Sequence, residues 1–106
     1  MDQNAKLQEM QLIEQSLQQI VMQKQAFQME LSETKTALKE VEKSGEDIYK
    51  IVGQLMLKSE KSDIVKDLKE KQKLLDLRTS SLEKQEKTMA KQLEKLRDEV
   101  LKAQKK

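Results

Sequence analysis

Two stretches of this chain repeat apolar residues at spacings that alternate between three and four, and no proline interrupts them. The 106 residues contain no Pro and only two Gly. Alternating spacing of this kind is the heptad pattern of a coiled coil, and Pro would break or kink the helix that carries it. The sequence therefore predicts two long helices of similar length, over residues 2–43 and 62–104.

The apolar positions form one stripe on each predicted helix, and we call the two stripes together the seam. The first stripe consists of Met10, Ile13, Leu17, Ile20, Lys24, Phe27, Leu31, Thr34, Leu38 and Val41. The second consists of Val65, Leu68, Gln72, Leu75, Thr79, Leu82, Glu86, Met89, Leu93, Leu96 and Val100.

A short link between helices of matched length favours an antiparallel hairpin of helices. Pairing the two stripes in layers gives a register in which the two residue numbers of each layer add up to 106. Polar seam residues then fall close together, and such residues fix the register of a coiled coil. We expect Lys24 to form an ion pair with Glu86 and Thr34 to meet Gln72.

The helix ends have recognisable signals. Ser44-Gly45 is expected to end the first helix, with Gly45 as the left-handed cap residue. Ser62 is expected to cap the second helix, with Asp63 in its first turn.

The link over residues 48–59 predicts one β-hairpin. Two short apolar runs rich in β-branched residues flank Gly53-Gln54, and a Gly at the first turn position suits a two-residue hairpin loop. An isolated hairpin is marginally stable in water, and this one has apolar residues on both faces, so we expect it to associate with other chains. The alternative is that residues 48–59 are helical and bend the coil, but Ile-Tyr-Lys-Ile-Val is a poor helix interior.

The amino-acid composition excludes most kinds of catalytic site. The chain has no His and no Cys, so it lacks an imidazole base, a thiolate nucleophile and the ligands of a soft metal site. Two Gly cannot build a Gly-rich phosphate loop. We therefore expect a protein that is not an enzyme, with no catalytic residues, no cofactor and no metal.

The sequence also argues against membranes and nucleic acids as partners. No apolar run approaches the ~18 residues of a membrane span, and the first residues lack the apolar core of a signal peptide. The lysines of the second helix alternate with acidic residues, which argues against binding along a phosphate backbone. We expect a cytoplasmic protein that binds neither.

The order of helix, hairpin and helix resembles a prefoldin subunit of the β class. The residues that carry this resemblance are Ile48-Tyr49-Lys50-Ile51-Val52-Gly53-Gln54-Leu55-Met56-Leu57-Lys58 and Val65-Lys66-Asp67-Leu68-Lys69-Glu70-Lys71. The α class has a longer insert with two hairpins, and this chain has room for one. The resemblance covers nearly the whole chain and leaves open whether the setting is archaeal or eukaryotic.

The resemblance implies a mainly α fold, a long antiparallel two-helix coiled coil with one β-hairpin at its connecting end, over a single domain of residues 1–106. It implies a hexamer, formed with α-class subunits and other β-class copies through the hairpins. The implied function is a chaperone that captures unfolded polypeptides (clients) at the coiled-coil tips without nucleotide and passes them to a group II chaperonin. The implied oligomer interface comprises Ile48, Tyr49, Ile51, Val52, Gly53, Leu55, Met56 and Leu57.

Apolar residues near the two termini are candidates for client contact, because both ends of the chain lie at the open end of the coil. Adaptable apolar surface, including flexible Met, suits the binding of many different unfolded segments. The candidates are Leu7, Met10, Leu12, Ile13, Leu96, Val100, Leu101 and Ala103.

The alternative function is that of a structural or adaptor coiled coil in trafficking or cytoskeletal assembly. It accounts for the heptads equally well. It does not account for a hairpin with two apolar faces at the connection between the helices.

Overall fold

A computed structural model describes residues 3–104 and has the order helix, two strands, helix. Helix α1 spans Gln3–Lys43, strand β1 Ile48–Val52, strand β2 Leu55–Ser59 and helix α2 Lys61–Gln104. The predicted mainly α fold with a single antiparallel hairpin is confirmed. Residue 2, where the first helix was expected to begin, lies outside the described residues, and the single domain over 1–106 stays a prediction.

The described chain divides into two compact units. One consists of residues 3–26 with 79–104, and we call it the terminal unit; the other is Phe27–Arg78, and we call it the hairpin unit. Each contains a segment of α1 and a segment of α2. None of the helices in residues 3–104 has the length and apolar character that crossing a membrane requires.

In the terminal unit the predicted seam forms the core. Ile20, Leu82 and Val100 are buried there. Lys6 pairs with Glu99 at 3.4 Å and Lys24 with Glu86 at 3.1 Å, so residue numbers rise along α1 as they fall along α2. The two helix segments are therefore antiparallel, and the predicted pair of Lys24 and Glu86 is confirmed.

In the hairpin unit Leu75 and Thr34 are the buried seam residues. Lys71 pairs with Glu30 at 3.2 Å, and the guanidinium of Arg78 lies 5.9 Å from the ring centre of Phe27. These contacts give the same antiparallel order.

The contact of Thr34 with Gln72 across the seam stays a prediction, and the hydrogen bond of the Thr34 hydroxyl lies within α1. Thr34 is only 3% exposed, and its hydroxyl donates a hydrogen bond of 2.8 Å to the carbonyl of Glu30. A buried hydroxyl on a helix reaches the carbonyl four residues earlier without help from another element. The bond that satisfies Thr34 therefore lies within α1 and does not join the helices.

The end of α1 differs from the prediction for Gly45. Gly53, not Gly45, is the glycine with a positive φ, so the left-handed cap predicted at Gly45 is wrong. The amide of Ser44 donates to Glu40 and Val41, and its hydroxyl donates to Val41 at 2.7 Å. These bonds satisfy carbonyls of the last turn, so a left-handed residue is not needed there.

Lys61 completes the end of α1 from the other side of the hairpin. Its ammonium donates to the carbonyl of Glu42 at 3.2 Å and to that of Ser44 at 2.9 Å. A cation at a helix C-terminus also interacts favourably with the helix dipole. The two ends of the hairpin insert are therefore tied together by one side chain.

Helix α2 begins one residue earlier than predicted. Lys61 is its first residue, and the amide of Ile64 donates to the carbonyl of Glu60 at 3.1 Å. The cap position therefore falls at Glu60, and the cap predicted at Ser62 is wrong. Asp63 lies in the first turn as expected, where its charge complements the helix N-terminus.

Candidate functional site

The hairpin presents two distinct faces because its register is fixed along all five pairs. Ile48 pairs with Ser59, Tyr49 with Lys58, Lys50 with Leu57, Ile51 with Met56 and Val52 with Leu55. Side chains alternate between the faces of a strand. The first face therefore carries Ile48, Lys50, Val52, Leu55, Leu57 and Ser59, and the second face carries Tyr49, Ile51, Met56 and Lys58.

The turn of the hairpin depends on Gly53. Its φ is 61°, in the left-handed region that favours glycine. Gln54, the next turn residue, does not have a positive φ, and a positive φ at the first turn position alone is the mark of a type II′ turn. Type II′ matches the twist of the two strands, which is why a two-residue loop fixes this register.

Both faces of the hairpin are apolar and uncovered within the chain. Ile51 and Met56 on the second face are 69% and 66% exposed. Tyr49 beside them, and Val52, Leu55 and Leu57 on the first face, are also exposed. Among residues 3–104 the sheet has two strands, so the outer edge of each strand has no backbone partner there. Pairing with another chain would bury this apolar surface and satisfy the free backbone groups of the strand edges.

A groove lies where the base of the hairpin meets the helices of the hairpin unit. Its volume is about 300 Å³, and its lining is mostly apolar: Ala37, Val41, Ile48, Tyr49, Lys50, Ile64, Asp67 and Leu68. Asp47 and Lys58 form an exposed pair at 3.5 Å near the strand ends. The groove extends the apolar surface of the hairpin onto the helices.

The terminal unit places the predicted client-contact residues in three environments. Leu7, Leu12, Leu101 and Ala103 are exposed, with Leu12 at 64%. Met10, Ile13 and Leu96 are half-buried in the seam. Val100 is only 6% exposed, so it supports the coil and could meet a client only if the helix ends separated.

Sequence reasoning missed two exposed leucines in the hairpin unit. Leu74 and Leu77 lie on α2 and are 48% and 64% exposed. The heptad pattern could have identified both leucines as exposed, because neither occupies a seam position of α2 and the seam positions of α2 are assigned to other residues. Exposed apolar residues on α1, Val21, Met22 and Met29, lie off the seam in the same way.

The described residues offer no metal site. Within residues 3–104 no group of His, Cys, Asp or Glu is arranged so that it could hold a metal ion. What the arrangement provides is apolar surface at the hairpin and apolar surface beside the chain ends. Both are suited to protein contacts.

Comparison with known proteins gives a family match over almost the whole chain. The family described as "Prefoldin subunit" matches residues 4–106. The prefoldin subunit beta of Thermococcus onnurineus (strain NA1) is 43% identical over 89 residues, which cover 82% of this chain and 77% of that protein. The prefoldin subunit beta of Thermococcus kodakarensis is 41% identical over 98 residues, covering 91% and 84% of the two chains.

A solved structure shows the same similarity in three dimensions. The crystal structure of the prefoldin beta subunit from Thermococcus strain KS-1 matches with a TM-score of 0.88 and 40% sequence identity. The match covers 95% of this chain and 90% of that chain.

Proposed function

This chain belongs to the prefoldin family and is a prefoldin chaperone subunit, and from that premise we propose how it works. It acts as a β-class subunit that joins α-class subunits and other β-class copies through its hairpin. The assembled hexamer holds unfolded polypeptides without nucleotide and passes them to a group II chaperonin in the cytoplasm. It catalyses no reaction and needs no cofactor.

The observation that carries the proposal is the hairpin with two exposed apolar faces. Burying apolar surface contributes roughly 25 cal/mol per Å², and six large side chains are available: Tyr49, Ile51, Val52, Leu55, Met56 and Leu57. Neighbouring hairpins also satisfy the free backbone groups of each strand edge. Gly53 serves the interface by fixing the strand register rather than by contact.

The holding of clients is assigned to the terminal unit. Leu7, Leu12, Leu101 and Ala103 offer apolar surface without any change in the coil, while Met10, Ile13 and Leu96 add to it where the helix ends fray. Contacts of this kind are non-directional, so they suit clients that share no sequence.

The test is to mix this chain with a matching α-class subunit and follow both assembly and activity. We expect a hexamer in analytical ultracentrifugation that keeps a denatured client, such as unfolded citrate synthase, from aggregating in buffer without nucleotide. A chain that remains a dimer and does not protect the client would instead support a structural coiled coil.

A matched pair of variants links assembly to the hairpin. Ile51→Ser with Met56→Ser removes two exposed apolar side chains from the hairpin, and Met29→Ser with Leu77→Ser removes two from the helices. We expect the first pair to prevent hexamer formation and the second to permit it. Equal assembly of both would contradict the role of the hairpin.

A further inference from the structure

The helices of the hairpin unit have two sides of opposite charge. We label the seam positions a and d, with Leu31 and Val65 at a positions and Thr34 and Leu68 at d positions. In an antiparallel pair, the e and b positions of both helices then lie on one side of the seam, and the g and c positions lie on the other. The contact of Lys71 with Glu30, both at g positions, fixes which side is which.

The side with e and b positions is basic. It carries five lysines and two acidic residues, namely Lys35, Lys39, Lys66, Lys69, Lys73, Glu42 and Asp76. A shallow groove on this side is lined by Ser62, Val65, Lys66, Lys69, Glu70 and Lys73. We call this surface the basic side.

The side with g and c positions is acidic. It carries Glu30, Glu33, Glu40 and Asp67, against the cations Lys71 and Arg78. Both cations are engaged within the chain, Lys71 with Glu30 and Arg78 over Phe27. This surface, which we call the acidic side, also holds the apolar groove at the base of the hairpin, with Asp67 in its lining.

Most of the charges on the two sides have no ion-pair partner among residues 3–104. Among the described residues no ion pair involves Lys66, Lys69 or Lys73 on the basic side, nor does one involve Glu33, Glu40 or Asp67 on the acidic side. By the register of the coil, Lys66 lies level with Glu40 and Lys73 lies level with Glu33. The opposite charges therefore stand at matching distances from the hairpin.

We propose that the basic side of one subunit docks against the acidic side of a second copy of this chain beside it. The proposal rests on the proposed assembly through hairpins, which would hold neighbouring coils at the same level. A contact between two different sides of identical chains is heterologous, and such contacts generate rings when the rotation closes. The charges thus select the neighbour and its orientation, while the hairpins supply most of the binding.

Engineered cysteines test the contact directly, because the chain has no Cys of its own. Lys66→Cys chains and Glu40→Cys chains are mixed, assembled with an α-class subunit and oxidised. We expect disulfide-linked pairs that contain one chain of each kind. Lys84→Cys mixed with Glu40→Cys is the control, since Lys84 lies in the terminal unit, and we expect no linked pairs.

Charge reversal gives a second measurement in the same hexamer. Lys66→Glu, Lys69→Glu and Lys73→Glu together place acid against acid, and we expect about tenfold weaker assembly at low salt. Adding Glu33→Lys, Glu40→Lys and Asp67→Lys to the same chain restores opposite charges between copies, and we expect recovery. The control with an equal change in net charge is Lys84→Glu, Lys87→Glu and Lys91→Glu.

The outcomes separate this inference from the proposed function. A hexamer that forms, gives no disulfide between Lys66→Cys and Glu40→Cys chains, and tolerates charge reversal overturns the docking of the two sides and leaves the proposed function intact. Failure of the unmodified chains to form a hexamer overturns both.

Discussion

At the scale of single residues, Lys24 and Glu86 are polar side chains in an otherwise largely apolar seam. Their 3.1 Å contact lies at seam positions, which are apolar in most coiled coils. A polar seam pair costs stability relative to leucine but disfavours shifted registers. The pair was predictable because the heptad register alone places the two residues one layer apart.

A double-mutant cycle on this pair should give a coupling free energy of about 1 kcal/mol. Lys24→Leu alone leaves Glu86 without its cation in the seam, and Glu86→Leu does the same to Lys24. We expect the double variant to be more stable than the two single variants predict, as measured by thermal unfolding. The exposed pair Lys71 and Glu30 is the control and should couple less; strictly additive effects at Lys24 and Glu86 would contradict the account.

Replacing each of the two glycines with alanine should have different effects on the free energy of unfolding. At Gly53 a Cβ meets nothing within 4 Å, but the φ of 61° strains any L-residue, so we expect Gly53→Ala to destabilise the fold by about 1 kcal/mol. Gly45 has equal space and no positive φ, so Gly45→Ala should be neutral or stabilising. Denaturant unfolding of both variants checks this, and equal losses would argue against the type II′ turn.

At the scale of elements, the helices and the hairpin follow from periodicity, whereas their ends do not. Heptad spacing is set by many residues at once, so one exception such as Lys24 does not hide it. A helix end is set by single hydrogen bonds. Ser44 and Lys61 supply those bonds here, and Lys61 is a partner that lies 17 residues from Ser44 along the chain. The sequence around the end of α1 does not show this partner. The sequence therefore assigned the end of α1 to Gly45 and the cap of α2 to Ser62, whereas Ser44 and Lys61 satisfy the first and Glu60 occupies the second.

Lys61 should hold the last turn of α1 closed. Lys61→Met keeps the aliphatic stem and removes two hydrogen bonds to carbonyls, worth about 1 kcal/mol together. We expect faster hydrogen exchange of the amides of residues 42–44, with little change in the centre of α1. Lys66→Met is the matched control, because Lys66 has no ion-pair partner among the described residues, and equal acceleration in both variants would contradict the role of Lys61.

At the scale of the whole molecule, apolar residues have three separate tasks. Those of the seam hold the helices together, those of the hairpin are proposed to hold subunits together, and those beside the termini are proposed to hold clients. The sequence separated the first task from the others because seam residues follow the heptad. The same heptad places Val100 in the seam, where it is buried, and its neighbour Leu101 outside the seam, where it is exposed, so the sequence already favoured Leu101 over Val100 for client contact.

The most direct test of the central claim is client protection by a hexamer with altered tips. Leu7→Ser and Leu12→Ser together remove exposed side chains that the seam does not need, and Met29→Ser with Leu77→Ser is the control, with two equally dispensable side chains in the hairpin unit. We predict intact hexamers for both, with several-fold weaker suppression of client aggregation for the Leu7 and Leu12 variant alone. Unchanged protection by that intact hexamer would contradict the assignment of client holding to the terminal unit.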